Sequence, residues 1–188
     1  MAFTHTNRRD KTYYLHTGPK RGGGVQHFLS TDPKGDLADV VPVGFEVYET
    51  VNGQVYLRRR RLSAIHDAEL DYIRRYLTKL PGPMLHAAEV TGNMIVIHES
   101  ENRSELDARL GAWRPGIDLE AIARQFAQYM PLMRFVLQDK TRRLFLPERY
   151  CFRGSVDRWI PIGPPDKIET LAAKFLLHLG RESFYELF

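Results

Sequence analysis

The dipeptide Asn52-Gly53 constrains the fold more than any other local feature of this sequence. It separates two segments rich in aromatic and β-branched residues, which is the pattern of a β-hairpin. Asn-Gly supplies the positive φ angles of a two-residue type I′ turn. With such a turn Glu46 lies directly opposite Arg59, so the spacing predicts a cross-strand ion pair between them. The two predicted strands are Phe45 to Val51 and Gln54 to Arg60.

Further strands and helices are predicted from the same kinds of pattern. Apolar residues at helical spacing predict helices over residues 63–80, 118–130 and 166–179. We therefore predict an α+β fold with mostly antiparallel sheet built of hairpins and about three helices. The strands 85–90 and 94–99 are expected to be central, because both are almost continuously apolar. The remaining predicted strands are 11–17, 25–30, 133–137, 143–152 and 159–162.

The charge of the chain is divided unevenly between its halves. Residues 1–82 contain 13 Lys and Arg against 9 Asp and Glu, whereas residues 83–188 contain 14 of each.

The sequence Pro81-Gly82-Pro83 ends the first predicted helix and is the best candidate for a boundary between two domains. We expect a basic half at 1–82 and a neutral half at 83–188, each ending in a helix, or one domain that contains both.

Size and composition restrict the class of protein. A chain of 188 residues buries enough surface to fold without disulfides or metals, and its single cysteine, Cys151, fits a reducing compartment. The sequence has no apolar segment of the length that a membrane span or a secretion signal needs. We expect a cytoplasmic protein that does not contact a membrane.

Three groups of motifs are spread along the chain. They are Pro42-x-Gly-Phe-Glu-Val-Tyr-Glu49 with Asn52-Gly-Gln-Val-x-Leu-Arg58, Phe152-Arg-Gly-Ser-x-Asp-x-Trp159, and His178-Leu-Gly-Arg-Glu-Ser-Phe184. Together they resemble motifs of a group of uncharacterised bacterial proteins. The resemblance implies that the whole chain is one family unit, and it implies no activity, because none is known for that group.

The candidate binding residues are cations and a tyrosine in the basic half. Lys20 and Arg21 lie in the glycine-rich segment 18–24, which lacks the spacing of a nucleotide-binding loop. Arg58 and Arg60 alternate with Arg59 and Arg61 along a strand, so they share one face. Together with Tyr56, they predict a surface on which rings stack bases and cations hold phosphates of RNA or another polyanion. The alternative interpretation of the arginines is structural: they protect an edge strand from pairing with another chain.

Metal, cofactor and catalytic motifs are missing from the sequence. His16 and His27 are expected to face each other across the first hairpin, and His86 to lie opposite Glu99, but two ligands do not make a zinc site. Cys151 has the context of a small core residue, and Ser155 lacks the G-x-S-x-G pattern. We therefore predict no metal, no cofactor and no catalytic residue.

Three classes of function remain open at this point. The favoured one is a non-catalytic binding or adaptor protein for a macromolecular or anionic partner. The second is a module that self-associates through its many tyrosines, since tyrosine is enriched in interfaces. The third is an enzyme whose site is assembled from residues distant in the sequence.

Overall fold

The computed structural model describes residues 1–80, 86–101, 125–153 and 156–187. The chain divides into two compact units, one formed by Met1–Leu62 with Asp118–Phe126 and the other by Ser63–Ile117 with Ala127–Phe188. The predicted boundary at residues 82 and 83 lies outside the described residues.

The first unit contains two small antiparallel sheets. One has three strands in the order β1-β2-β3, and the other is a two-stranded ribbon of β4 and β5. The hairpin predicted over 11–30 is therefore present, and a short N-terminal strand is added to it. The strands are β1 (Thr4–Thr6), β2 (Thr12–Pro19), β3 (Val25–Ser30), β4 (Phe45–Glu49) and β5 (Val55–Arg59).

The turn of the β4–β5 ribbon differs from the prediction. Gly53 alone has a positive φ, of 72°, and its N–H donates to the carbonyl of Thr50, so the connection is a three-residue turn and not type I′. The register moves by one residue, and Glu46 lies opposite Arg58. The predicted pairing of Glu46 with Arg59 is wrong for this reason.

A buried asparagine fixes this turn to the first sheet. Asn7 is 4% exposed, and its amide donates to the carbonyl of Gly53. Its side-chain oxygen accepts the backbone N–H groups of Arg9 and Lys11, which closes the turn between β1 and β2. Glu49 adds a second link, because its carboxylate accepts the N–H of Arg8.

The second unit is built on one five-stranded antiparallel sheet in the order β10-β9-β8-β7-β6. The hairpin pairing that was predicted around residues 91–93 is confirmed, with His86 opposite Glu99. Among the described strands β7 is central, as expected, whereas β6 lies at the edge of the sheet, contrary to expectation. The strands are β6 (His86–Thr91), β7 (Met94–Ser100), β8 (Tyr129–Asp139), β9 (Leu144–Arg153) and β10 (Val156–Pro161).

Two α-helices lie wholly within the described residues, and Gln125 and Phe126 of the third predicted helix are also helical; about three helices were predicted for the whole chain. The two complete helices are α1 (Asp67–Leu77) and α2 (Ile168–Phe175), and each starts later than its pattern indicated. Before α1, Ser63 accepts the N–H of Ile65 in a local turn, and Glu69 accepts the N–H of His66 at the true helix start. Short 3₁₀ helices follow α2 at Leu176–His178 and Glu182–Phe184.

The helix predicted over 118–130 lies mostly outside the described residues. Its last two residues, Tyr129 and Met130, belong to β8, which contradicts that end of the prediction. Tyr129 pairs with Ser100, so the strand continues back past Pro131. The proline is accommodated where the register between β7 and β8 shifts.

Both helices place their apolar sides in the core of the second unit. The stripe predicted for α1 contributes the fully buried Ile73, which joins the same cluster as Phe135 and Phe145 of the sheet. Gly180 takes the left-handed conformation predicted after the last helix, with a φ of 73°. Other members of the cluster are Ile95, Ile97, Met133, Leu171, Phe175, Leu176 and Phe184.

A partly buried ion pair joins α1 to the β8–β9 hairpin. The guanidinium of Arg143 donates to both carboxylate oxygens of Glu69 and to the carbonyl of Ala64. Glu69 also accepts the N–H of His66, so one carboxylate serves as helix cap and as partner of Arg143. Arg143 has a φ of 53°, which is unfavourable for a residue other than glycine. The hydrogen bonds of its side chain offset this energetic cost.

Replacing Arg143 by alanine should lower the free energy of unfolding of the second unit by about 2–3 kcal/mol. The Glu69 carboxylate is largely buried and would then lack its charged partner. Trp159 lies on β10 of this unit, so urea denaturation followed by tryptophan fluorescence reports on its unfolding. The matched control is Arg142→Ala, since Arg142 is exposed. Equal midpoints for the two variants would contradict the assigned role.

Candidate functional site

One face of the β4–β5 ribbon gathers aromatic and cationic side chains. Directly opposite residues of an antiparallel pair project to the same side, and residues two apart along a strand share that side. The register therefore puts Glu46 and Tyr48 of β4 on the same face as Tyr56 and Arg58 of β5. Arg60 follows two residues after Arg58 and reaches the same carboxylate, at 4.0 Å from Nε to Oε2 of Glu46. We call these five residues the ribbon face.

Arg58 is held in place on the ribbon face by two contacts. Its Nε donates to Oε1 of Glu46 at 2.8 Å, and its guanidinium carbon lies 3.6 Å from the centre of the Tyr48 ring. The ring contributes a cation–π attraction, and the carboxylate fixes the guanidinium along its edge. Arg58 is therefore a positioned cation.

Tyr56, Arg58 and Arg60 are the exposed members of the ribbon face, and the side chain of Arg58 is 47% exposed. Tyr56 is 48% exposed, and the side chain of Arg60 is 74% exposed. The two cations share one carboxylate, so the face carries a net charge of +1. An exposed ring can stack on a planar group, and an excess of positive charge beside it can attract an anionic one.

The predicted residues Tyr56, Arg58 and Arg60 thus come together on one strand face. Arg59 lies on the other side of the ribbon, 5.9 Å from the Phe45 ring, and this separates it from Arg58 as the alternation predicts. Strand β5 ends at Arg59, so the alternation is not continued by regular pairing to Arg61.

Lys20 and Arg21 lie in the loop that joins β2 to β3. Both are exposed, and neither forms an ion pair with another described residue. The loop closes through the N–H of Lys20, which donates to the carbonyl of Gly24, with Gly23 and Gly24 at positive φ. Strand β3, which follows this loop, lies close to β5 in the same unit.

Two residues of the ribbon face, Glu46 and Tyr48, were not predicted as site residues. The predicted register gives Glu46 a different partner, Arg59, and only the role of neutralising its charge. The length of the turn decides that Glu46 and Tyr48 share a face with Arg58. Thr50 Oγ1 accepts the N–H of Gln54 at 3.1 Å, which favours the three-residue turn and its register.

The histidines do not converge. His16 lies opposite Phe28, so its predicted pairing with His27 is wrong; its ring stacks on Phe28 and its Nε2 contacts the carbonyl of Asp32. His86 lies 3.5 Å from Glu99, as the predicted register requires. Among the described residues, no group of three or more His, Cys, Asp or Glu side chains is arranged to hold a metal ion.

His98 is a buried histidine that the sequence did not single out. It is 8% exposed on β7. Burial lowers the pKa of His98, because the charged form loses hydration; the Glu89 carboxylate at 3.9 Å and a backbone bond at Val96 oppose this only in part.

Comparison of the chain with protein-family models, curated proteins and solved structures finds no match. The resemblance to the bacterial group stays a prediction. In the described ranges no helix is both long and apolar enough to cross a membrane.

The second unit should lose stability as the pH falls below about 6.5, because the unfolded chain binds a proton at His98 more readily than the folded chain does. The stability that neutral His98 contributes is fully present above pH 6.5, and it is lost as the pH falls through the lowered pKa of the folded state. His98→Gln should flatten this dependence in urea denaturation followed by tryptophan fluorescence, whereas His27→Gln, in the first unit, should leave it unchanged. A wild-type slope in the His98 variant would refute the assignment.

Proposed function

We propose that this protein is a cytoplasmic, non-catalytic binding protein whose first unit binds single-stranded RNA through the ribbon face. The observation that carries the proposal is the stack of Arg58 on Tyr48 beside the exposed ring of Tyr56. RNA bases present flat π-surfaces next to phosphates, and this arrangement matches both.

Preorganisation supports this proposal over a charge-protected edge. A cation that only shields an edge strand needs no fixed geometry. Arg58 is instead fixed by Glu46 and Tyr48, so less side-chain entropy is lost when a ligand binds it. Arg60 and Tyr56 remain accessible next to it.

The charge distribution supports an anionic partner. Residues 1–62 contain 10 Lys and Arg against 6 Asp and Glu, and the other 126 residues contain 17 of each, so the whole excess of +4 lies in the first segment. Lys20 and Arg21 add exposed positive charge to the unit that carries the ribbon face. Such an excess attracts a polyanion over distances of about 8 Å at physiological salt.

Single-stranded RNA fits better than a duplex because the proposed contacts are stacking contacts. The bases of a duplex are stacked on each other and present only their edges, whereas unpaired bases expose their faces to aromatic rings. The exposed ring of Tyr56 offers a face for stacking, which an unpaired base can use and a paired base cannot.

Wild-type protein should bind a short single-stranded RNA in fluorescence anisotropy, with an affinity that falls as salt rises. Tyr56→Ala should weaken binding about tenfold through the loss of one stacking contact. Arg60→Gln should reduce the slope of log affinity against log salt by about 0.7, which corresponds to one phosphate contact on a single strand. Lys20→Gln with Arg21→Gln tests the loop in the same way.

The matched control is Arg75→Gln, which removes an exposed arginine from α1 of the second unit. It should leave affinity and salt slope at their wild-type values. No binding by the wild type at low salt would refute the proposed function, as would equal losses in the Arg60 and Arg75 variants.

A further inference from the structure

Glu46 is an acidic side chain at the centre of a face proposed to bind an anion. It is the cross-strand neighbour of Arg58 and also approaches Arg60. The 4.0 Å separation between its Oε2 and Arg60 Nε is too long for a hydrogen bond, so this contact leaves the lone pairs of that oxygen available. The Glu46 side chain is 28% exposed, and a ligand can reach it.

We infer that Glu46 selects guanine among the bases that stack on the ribbon face, by accepting hydrogen bonds from the N1–H and N2–H groups of the base. This inference rests on the proposed RNA binding and names which nucleotide the site prefers. It assigns Glu46 to base recognition, in addition to its contact with Arg58.

The position of Glu46 relative to Tyr56 fits this role. Tyr56 is two residues before Arg58, the cross-strand partner of Glu46, so Tyr56 and Glu46 are diagonal neighbours on one face. Diagonal neighbours in an antiparallel pair lie about 7–8 Å apart between Cα atoms, within the reach of aromatic and long side chains. A base that stacks on the Tyr56 ring can therefore direct its edge toward the Glu46 carboxylate.

Among the four bases, guanine alone presents two neighbouring donors on its Watson–Crick edge, and these match the two oxygens of a carboxylate. Adenine and cytosine offer one amino group next to a ring acceptor, and uracil offers one N–H between two carbonyls. An acceptor-only side chain faces repulsion from each of those acceptors. Charge-assisted bonds to a carboxylate are also stronger than neutral ones, which enlarges the difference between the bases.

Arg58 positions the Glu46 carboxylate for contact with the base. Its Nε occupies one lone pair of Glu46 Oε1 at 2.8 Å and limits rotation of the carboxylate, while a carboxylate offers about four acceptor sites in all. Two guanine donors and Arg58 can thus be accommodated together. Arg60, the more exposed arginine, remains for the phosphate.

Replacing guanosine by inosine in one short RNA tests the inference, because inosine lacks only the N2 amino group. Wild-type protein should bind the guanosine RNA about tenfold more tightly, the expected effect of one hydrogen bond to a charged acceptor. Glu46→Gln retains one acceptor for N1–H, which both bases possess, and loses the second. Its guanosine-to-inosine ratio should fall to about one.

A second readout separates recognition from simple neutralisation of charge. Glu46→Gln removes a negative charge beside two arginines, so its affinity for an oligouridine should rise above that of the wild type. Lower affinity of this variant for every RNA would indicate a structural role and overturn the inference. Matching thermal unfolding curves for wild type and variant are the folding control.

The outcomes distinguish this inference from the proposed function. If Tyr56→Ala and Arg60→Gln weaken binding as expected while wild-type protein binds guanosine and inosine RNAs equally, guanine recognition is refuted and RNA binding stands. If the wild type binds none of these RNAs at low salt, the proposed function is refuted.

Discussion

The register of the β4–β5 ribbon is the constraint on which the candidate site depends. In the observed register the face that carries Glu46 and Tyr48 also carries Tyr56 and Arg58. With a two-residue turn the same face would receive Leu57 and Arg59, because a slip of one residue moves every side chain of one strand to the opposite face. The turn at Gly53, fixed to the first sheet by Asn7, therefore decides which residues can act together.

The sequence located most of the strands and helices and the register of the β6–β7 hairpin, but it gave the wrong register for the β4–β5 ribbon. Alternating and helical periodicity located the hairpins and both apolar stripes, because those patterns reflect which side of an element is buried. The Asn-Gly dipeptide predicted a turn correctly and its length wrongly, since Gly53 alone takes a positive φ. That single error gave Glu46 the wrong partner, and it placed Arg58 on the face opposite Tyr48, so the contact between them was not predicted.

Contacts between residues distant in the sequence were also beyond prediction. Glu69 accepts the N–H of His66 at the start of α1, a local contact, but its second partner, Arg143, is 74 residues away. Local patterns contain no information on such a pair. The same limit applies to α1, which was expected to close the first half and instead contributes Ile73 to the core of the second unit.

The two arginine–glutamate pairs show how environment separates structural from functional chemistry. Arg143 and Glu69 have side chains that are 20% and 11% exposed, so their charges are poorly solvated and each requires the other. Arg58 and Glu46 are 47% and 28% exposed, and pairs at that level contribute about 0–1 kcal/mol to stability. The second pair therefore contributes little to the fold, and both of its side chains are exposed enough for a ligand to contact.

A carboxylate within a cationic face lowers its affinity for polyanions in general, so its presence has to be explained by something other than attraction. If Glu46 only stabilised the ribbon, an uncharged acceptor would hold Arg58 without reducing the net charge of the face to +1. Specificity is a difference between affinities, and an unfavourable group that only one ligand can satisfy increases that difference. Guanine can satisfy Glu46 with two donors, whereas the other bases leave it facing an acceptor. Under the proposed function, the carboxylate that weakens non-specific binding is thus the group that would select the nucleotide.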